Sequence, residues 1–246
     1  MHRSNPDKRP MDQVSHPAPG TRLRDDFPCR WPGIILVLIV LMSSAASDAR
    51  AQAASPLSLN AQLLVAARQN DANQTKRLLQ QGAAVNSRNR LGKTPLLLAC
   101  EKGNQALASD LLEAGADANF ASLEGVTPLM AASYEGNAEL VGRLLVAGAR
   151  TEPTDRMHKP AAVYAAGQGN TAALAALLAA GVDVNATYEH DLTLLMWAAG
   201  QGHAETARLL MSRGARADMR DDHGKNAAEI AREAGHAEVV VAAGLL

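Results

Sequence analysis

The apolar residues of this chain come in short runs, and from residue 58 onward the runs recur every 33 residues. The stretch LGKTPLLLACEKGNQALASDLLEAGADAN at residues 91–119 returns as EGVTPLMAASYEGNAELVGRLLVAGARTE at residues 124–152. A fixed period of this length means a stack of small units sharing one continuous core, and it governs how every other residue is read. Two glycine phases punctuate the period. Gly103, Gly136, Gly169, Gly202 and Gly235 occupy one, and each is followed by Asn or His. That pairing predicts a tight turn between two short helices, because glycine accepts positive φ without strain. Gly82, Gly115, Gly148, Gly181 and Gly214 occupy the other. Leu78-Leu79, Leu111-Leu112, Leu144-Leu145 and Leu177-Leu178 precede it, so an apolar helix face closes on a glycine. Asp117-Ala118-Asn119 and Asp183-Val184-Asn185 then lead into a turn.

Thr94-Pro95 and Thr127-Pro128 open the next helix, with Thr as N-cap and Pro at the first helical position. Thr193 shares this phase, while Pro160 and Asn226 replace the threonine. The first helix of the Pro160 unit is expected to be the least regular. The units run 90–122, 123–155, 156–188 and 189–221. Before them, residues 58–89 form a polar amino-terminal cap, with helices predicted at Ala61 to Arg68 and Asn73 to Gln80. After them, residues 222–246 carry Glu229, Arg232 and Glu233 where interior units are apolar, and read as the carboxy-terminal cap.

Gly92-Lys93-Thr94-Pro95-Leu96, Ala99, Gly103-Asn104, Leu111-Leu112 and Gly115-Ala116-Asp117-Ala118-Asn119 together resemble an ankyrin repeat. The resemblance holds from about Ser58 to Leu246, and it implies an all-α solenoid of helix-turn-helix units with short hairpin-like loops. The chain departs from the family at the position after Thr-Pro-Leu. The family commonly has His there; this chain has Leu97, Met130, Val163 and Met196, which removes the inter-repeat hydrogen bonds such a His implies.

Ahead of the array, residues 1–33 are polar, rich in Pro, Arg and Asp, and read as disordered. The run IILVLIVLM at residues 34–42 follows basic residues and precedes Ala49-Arg50-Ala51. That order predicts a secretory signal over residues 1–51, cleaved after Ala51, with 52–57 as a linker and periplasmic or secreted destination. The run is short for a membrane span. An uncleaved anchor in the inner membrane through residues 34–46, cytoplasmic retention, and a start at Met11 instead of Met1 stay open.

Composition narrows the function classes. Hydrophobic residues make up 47% and aromatics only 3%, which suits thin Ala/Leu layers and not a deep ligand-binding core. Beyond residue 51 there are 17 basic and 20 acidic residues, a charge of about −3 that points to neither nucleic acid nor an anionic membrane. Cys100 sits in the inner small-residue phase and predicts a buried thiol without a disulfide partner.

Motifs for chemistry fall short. Leu91-Gly92-Lys93-Thr94 resembles the end of a phosphate-binding loop, but Ser87 stands where its first glycine belongs. No His-Glu-x-x-His, Cys-x-x-Cys or Gly-x-Ser-x-Gly occurs. Asn185-Ala186-Thr187 matches a glycosylation acceptor but already belongs to the loop phase. His158, His190 and His223 occupy loops of successive units; they read as solvated residues, with a metal- or pH-responsive column as the competing reading. No catalytic residue, cofactor or metal is predicted.

What remains is surface. Loop tips and exposed first-helix positions of a solenoid form one concave strip, where units differ while framework positions agree. The strip comprises Arg90, Leu91, Lys93, Glu101 and Lys102; Leu123, Glu124, Val126, Tyr134 and Glu135; Arg156, Met157, Lys159 and Gln168; and Tyr188, Glu189, His190, Leu192 and Gln201. Its candidate partner-binding residues are Arg90, Lys93, Glu101, Lys102, Glu124, Tyr134, Glu135, Arg156, Lys159, Tyr188, His190 and Gln201, since tyrosine and arginine are common interface anchors. Tyr164 and Trp197 read as filler between helices. The expectation is a monomeric scaffold that binds an unidentified protein without chemistry, or alternatively an immunity-type factor that occludes a toxic enzyme. Resemblance to exported bacterial ankyrin proteins implies a link to stress defence.

Overall fold

The computed structural model describes residues 57–245. The leader with its signal and anchor readings, both candidate starts and the linker as far as residue 56 lie outside the described residues. Helices pair along the chain: α1 (Leu59–Gln69) with α2 (Ala72–Gln80), α3 (Pro95–Glu101) with α4 (Gln105–Glu113), α5 (Pro128–Glu135) with α6 (Ala138–Val146). Then come α7 (Ala161–Gly167) with α8 (Thr171–Ala179), α9 (Leu194–Gly200) with α10 (Ala204–Ser212), and α11 (Ala227–Glu233) with α12 (Ala237–Ala242). First helices stack on first helices and second on second, so the fold is all-helical and built by repetition. No helix among the described residues is long and apolar enough to cross a membrane.

Local chemistry starts each helix where the sequence places it. The Thr94, Thr127 and Thr193 hydroxyls accept from the backbone N–H of Leu97, Met130 and Met196 at 3.2 to 3.3 Å. Met130 and Met196 complete the cap in return, their sulfurs accepting from the Thr127 and Thr193 N–H at 3.4 Å. The residues that stand where a His was expected thus serve their own helix. Pro160 offers no side-chain cap, yet α7 forms over the same seven residues as α9. The irregularity expected of α7 is confined to its first bond, where Tyr164 N–H reaches the Pro160 carbonyl at 3.4 Å. In the first pair, Ser58 caps on Ala61 N–H, which starts α1 two residues earlier than the apolar pattern indicates.

The core is a row per phase. Leu78, Leu111, Leu144, Leu177 and Leu210 are each at most 1% exposed, and Ala66, Ala99, Ala132, Ala165, Ala198 and Ala231 are at most 2% exposed where first helices meet. Cys100 lies among them, wholly buried, and burial drives its thiol pKa far up, consistent with a packing role.

Loops are joined from unit to unit by side chains. Asn86 and Asn119 accept from the N–H of Asp117 and Arg150, one unit on, at 2.9 Å. Asn185 does the same for Arg216 at 2.8 Å and donates to the Gly214 carbonyl at 3.1 Å, so its side chain is committed to the framework. Glu152 occupies the equivalent position between Asn119 and Asn185.

Candidate functional site

Five tight hairpins precede the first helices α3, α5, α7, α9 and α11, at residues 89–93, 122–126, 155–159, 188–192 and 221–225. The first residue of each donates its backbone N–H to the carbonyl of the last: Asn89 to Lys93, Ser122 to Val126, Asp155 to Lys159, Tyr188 to Leu192 and Asp221 to Lys225, at 2.9 to 3.2 Å. They contain no strand; a single isolated bridge pairs Thr187 with Thr193 among the described residues. In four of them the first side chain folds back to accept two backbone N–H groups. Asn89 takes Leu91 and Lys93, Ser122 takes Glu124 and Val126, Asp155 takes Met157 and Lys159, and Asp221 takes His223 and Lys225. Tyr188 cannot accept in this way, and its hairpin instead makes a short 3-10 turn at Glu189–Asp191.

A left-handed residue follows at the same phase in every hairpin. Gly92, Gly125 and Gly224 fill it with φ of 74° to 81°, whereas His158 and Asp191 fill it with φ of 52° and 55°, and His190 adds a second at 61°. Side chains disfavour that region. At Gly125 glycine is required twice over, since an added Cβ would lie 3.0 Å from the Asp155 Cα.

Successive hairpins touch through their backbones. Leu123 N–H donates to Leu91 O at 2.9 Å, Arg156 to Glu124 O at 2.8 Å and Asp222 to His190 O at 3.1 Å. No such bond joins Glu189 N–H to Met157 O; His158 and Glu189 side chains approach to 3.9 Å there instead.

The predicted strip divides accordingly. Lys93 Nζ lies 2.7 Å from Glu101 Oε1, bracing the first hairpin against the end of α3. Lys225 and Glu233 form the same pair at the same two phases in the last unit. Between these ends the two phases hold Val126 and Tyr134, then Lys159 and Gly167, then Leu192 and Gly200. Aromatic rings use the space. Tyr134, 49% exposed, meets Tyr164 of the next unit edge-on, with centroids 5.9 Å apart and planes at 76°. Tyr164 donates its hydroxyl to the Asp155 carboxylate, and burial together with that bond pushes its pKa up. Trp197 lies across Gly167, and Lys159 Nζ sits 4.6 Å from its ring centroid.

Two clefts result. Glu101, Val126, Met130, Tyr134, Glu135 and Tyr164 line one of about 320 Å³. Lys159, Val163, Tyr164, Gln168, Trp197 and Gln201 line its neighbour of about 200 Å³. Tyr164 and Trp197 do pack against the core, as filler between helices would, and each is at the same time a half-buried wall of this face. Their phase holds buried Leu98 and Ala131 in earlier units, and the larger rings extend beyond the depth that those residues occupy. Tyr188 is placed elsewhere. It is half-buried in a third hollow of about 300 Å³ with Thr151, Glu152, Gly181, Val182 and Asp183, and burial and Asp183 hold its hydroxyl up at about 12. Arg90, Lys102, Glu124, Arg156 and His190 are exposed on the hairpins and helix ends and line neither cleft.

The histidines do not form an even column. His190 Nδ1 lies 2.8 Å from Asp222 Oδ2 and His223 Nδ1 2.5 Å from Asp222 Oδ1, so two imidazoles share one carboxylate, while His158 stands apart near Glu189. Asp221, Asp222 and His223 are the group among the described residues whose ligand atoms come close enough to hold an ion, all within 4.8 Å of one another. Both imidazoles already have a hydrogen-bonding partner in Asp222. His203, the N-cap residue at the start of α10, also bonds the Gly167 carbonyl through Nε2 at 3.0 Å and ties one unit to the last turn of the one before.

No curated protein matches the chain. The family model described as Ankyrin repeats (3 copies) matches residues 63–157 and 161–242, well over half of the sequence and nearly all of the helical array. With the 33-residue period, the paired helices and the hairpins between them, this match shows that the chain belongs to the ankyrin-repeat family.

Proposed function

We propose that the chain is an exported scaffold that grips a protein partner across its hairpin and first-helix face, centred on Tyr134, Tyr164, Lys159 and Trp197. Ankyrin repeats are protein-protein interaction modules, and the recognition surface of such a stack lies where units differ while the framework agrees. One observation carries the reading. Framework positions repeat their residue types through the array, yet the Lys-Glu brace found at both ends gives way in the middle to an aromatic ledge with two clefts. Aromatic side chains supply large contact area at small entropic cost, which suits binding and adds nothing to a framework already closed by leucine.

Export rests on the apolar run at residues 34–42 and the site at Ala51. Amino-terminal sequencing of the protein recovered from its cells tests it, with Gln52 the expected first residue. A photo-crosslinker placed at Tyr134 or Gln201 should capture a partner in the native compartment. Capture from Val146, at 92% exposure on the second-helix side, with none from the other two sites would overturn the assignment of the face. If the captured partner is a hydrolase that loses activity on binding, the scaffold acts as an inhibitor by occlusion.

A further inference from the structure

We infer that the larger of the two clefts is a receptor for a single basic side chain of the partner, arginine in preference to lysine, projecting from a peptide segment laid along the face. This deepens the proposed function and rests on it. The cleft walls are aromatic and acidic together. Tyr134 and Tyr164 supply rings, Glu101 and Glu135 supply carboxylates, and Val126 and Met130 supply an apolar floor. Asp155 stands behind Tyr164 and accepts its hydroxyl, which leaves the Tyr164 ring richer in electrons and the neighbourhood more negative. Lys93 neutralises Glu101, but among the described residues no cation comes within ion-pair distance of Glu135.

One unit along, the protein fills the equivalent arrangement itself. Lys159, from the hairpin, lies over Trp197, from the following first helix. In the cleft at Tyr134 the hairpin position equivalent to Lys159 is Val126, so the rings remain and the cation is missing. A volume of about 320 Å³ is at the bottom of the range for small-molecule sites and suits one long side chain. Arginine is favoured because a planar guanidinium can stack on a ring while its fork of donors reaches carboxylates at the rim, which an ammonium cannot do at once.

Selection of a random twelve-residue peptide library on the immobilised full chain tests this. The selected sequences should share an arginine, and its replacement by lysine should weaken binding less than replacement by citrulline, which keeps shape and loses charge. Tyr134→Ala should weaken the arginine peptide about five- to tenfold, as expected for one cation-ring contact, and Glu135→Gln about two- to fivefold, as expected for one exposed rim ion pair. Both positions are exposed, and an unchanged circular-dichroism melting curve separates lost contact from lost fold. Peptides that lack a common basic residue but are lost on Gln168→Arg would overturn the cleft assignment and leave the binding face standing. Failure to enrich any peptide that senses Tyr134, Glu135 or Gln168 would overturn both.

Discussion

The two ends of the hairpin face and its middle are built from the same backbone and to different ends. At the first and last hairpins an Asn or Asp folds back on two N–H groups, a glycine takes the left-handed turn, and a lysine reaches a glutamate at the end of the helix. In the middle these parts fail one at a time. Ser122 still caps and Gly125 still turns, but Val126 and Tyr134 replace the ion pair; Asp155 still caps, but His158 turns; at residues 188–192 neither cap nor glycine remains. Side chains that stabilise a hairpin have been exchanged for rings and for residues held in a disfavoured backbone region. Such departures from local rules collect where a surface serves a purpose other than stability.

That difference should be confined to the face. Leu111, behind the brace, and Leu177, behind the aromatic ledge, are both fully buried, and Leu→Ala at either should cost ~2–5 kcal/mol in chemical denaturation. A much smaller loss at Leu177 would show that the middle is soft throughout, and the comparison would become one of packing. Tyr134→Ala, by contrast, should leave the midpoint nearly unmoved.

The hairpin turns should respond with opposite signs. Gly125→Ala brings a Cβ to 3.0 Å from backbone at φ of 81°, and should destabilise by ~1–3 kcal/mol. His158→Gly, at the same phase one unit later, removes a side chain from that region and should stabilise by up to ~1 kcal/mol. A loss on His158→Gly would mean that the imidazole makes contacts worth more than its strain.

These hairpin rules were the part of the fold that self-similarity could not reveal. The leucine rows and both glycine phases were legible because one physical demand, burial or positive φ, has one residue type as its answer. An acceptor for two N–H groups has several answers: Asn89, Ser122, Asp155 and Asp221 do one job with three residue types, and a search for repeated letters passes over them. The site was legible in part. Tyr134, Glu101, Glu135, Lys159 and Gln201 could be placed on the face from phase alone, but the depth of Tyr164 and Trp197 could not, because phase gives direction and side-chain size decides how far a ring emerges. For Trp197 a signal lay in Gly167 of the preceding unit, a helical glycine that needs no positive φ and leaves room for the ring, as Gly200 does for Ile230.

A double-mutant cycle on Lys93 and Glu101 sharpens the account of the ends. Both side chains are about a quarter exposed and 2.7 Å apart, so their coupling should be ~0.2–1 kcal/mol and should shrink as salt is raised. Putting the brace into the middle, as Val126→Lys with Tyr134→Glu, should recover a coupling of the same sign while abolishing partner capture.

The smallest effect concerns the step between hairpins. His190 and Asp222 are joined twice, by the Asp222 N–H on the His190 carbonyl at 3.1 Å and by their side chains at 2.8 Å, whereas the preceding step lacks the backbone bond and its His158–Glu189 side chains stay 3.9 Å apart. The hydrogen bond to Asp222, then its charge, raises the His190 pKa above 6.5, with Glu189 and Asp191 adding in the same direction. The bond to His190 likewise lowers Asp222 below 3.8, helped by His223, which shares the carboxylate. A raised histidine contributes fully below 6.5 and loses its contribution as pH rises through the folded value; a lowered carboxylate contributes fully above 3.8 and loses it as pH falls through its own. The linkage is therefore complete between those two values and fades on both sides. Both groups are solvated, so the change belongs in a ring-proton NMR titration, where His190 should titrate above 6.5 and Asp222→Asn should bring it down. An inflection that ignores Asp222→Asn would mean that the last two hairpins are held by the backbone bond alone, and that this step differs from the one before it by a single hydrogen bond.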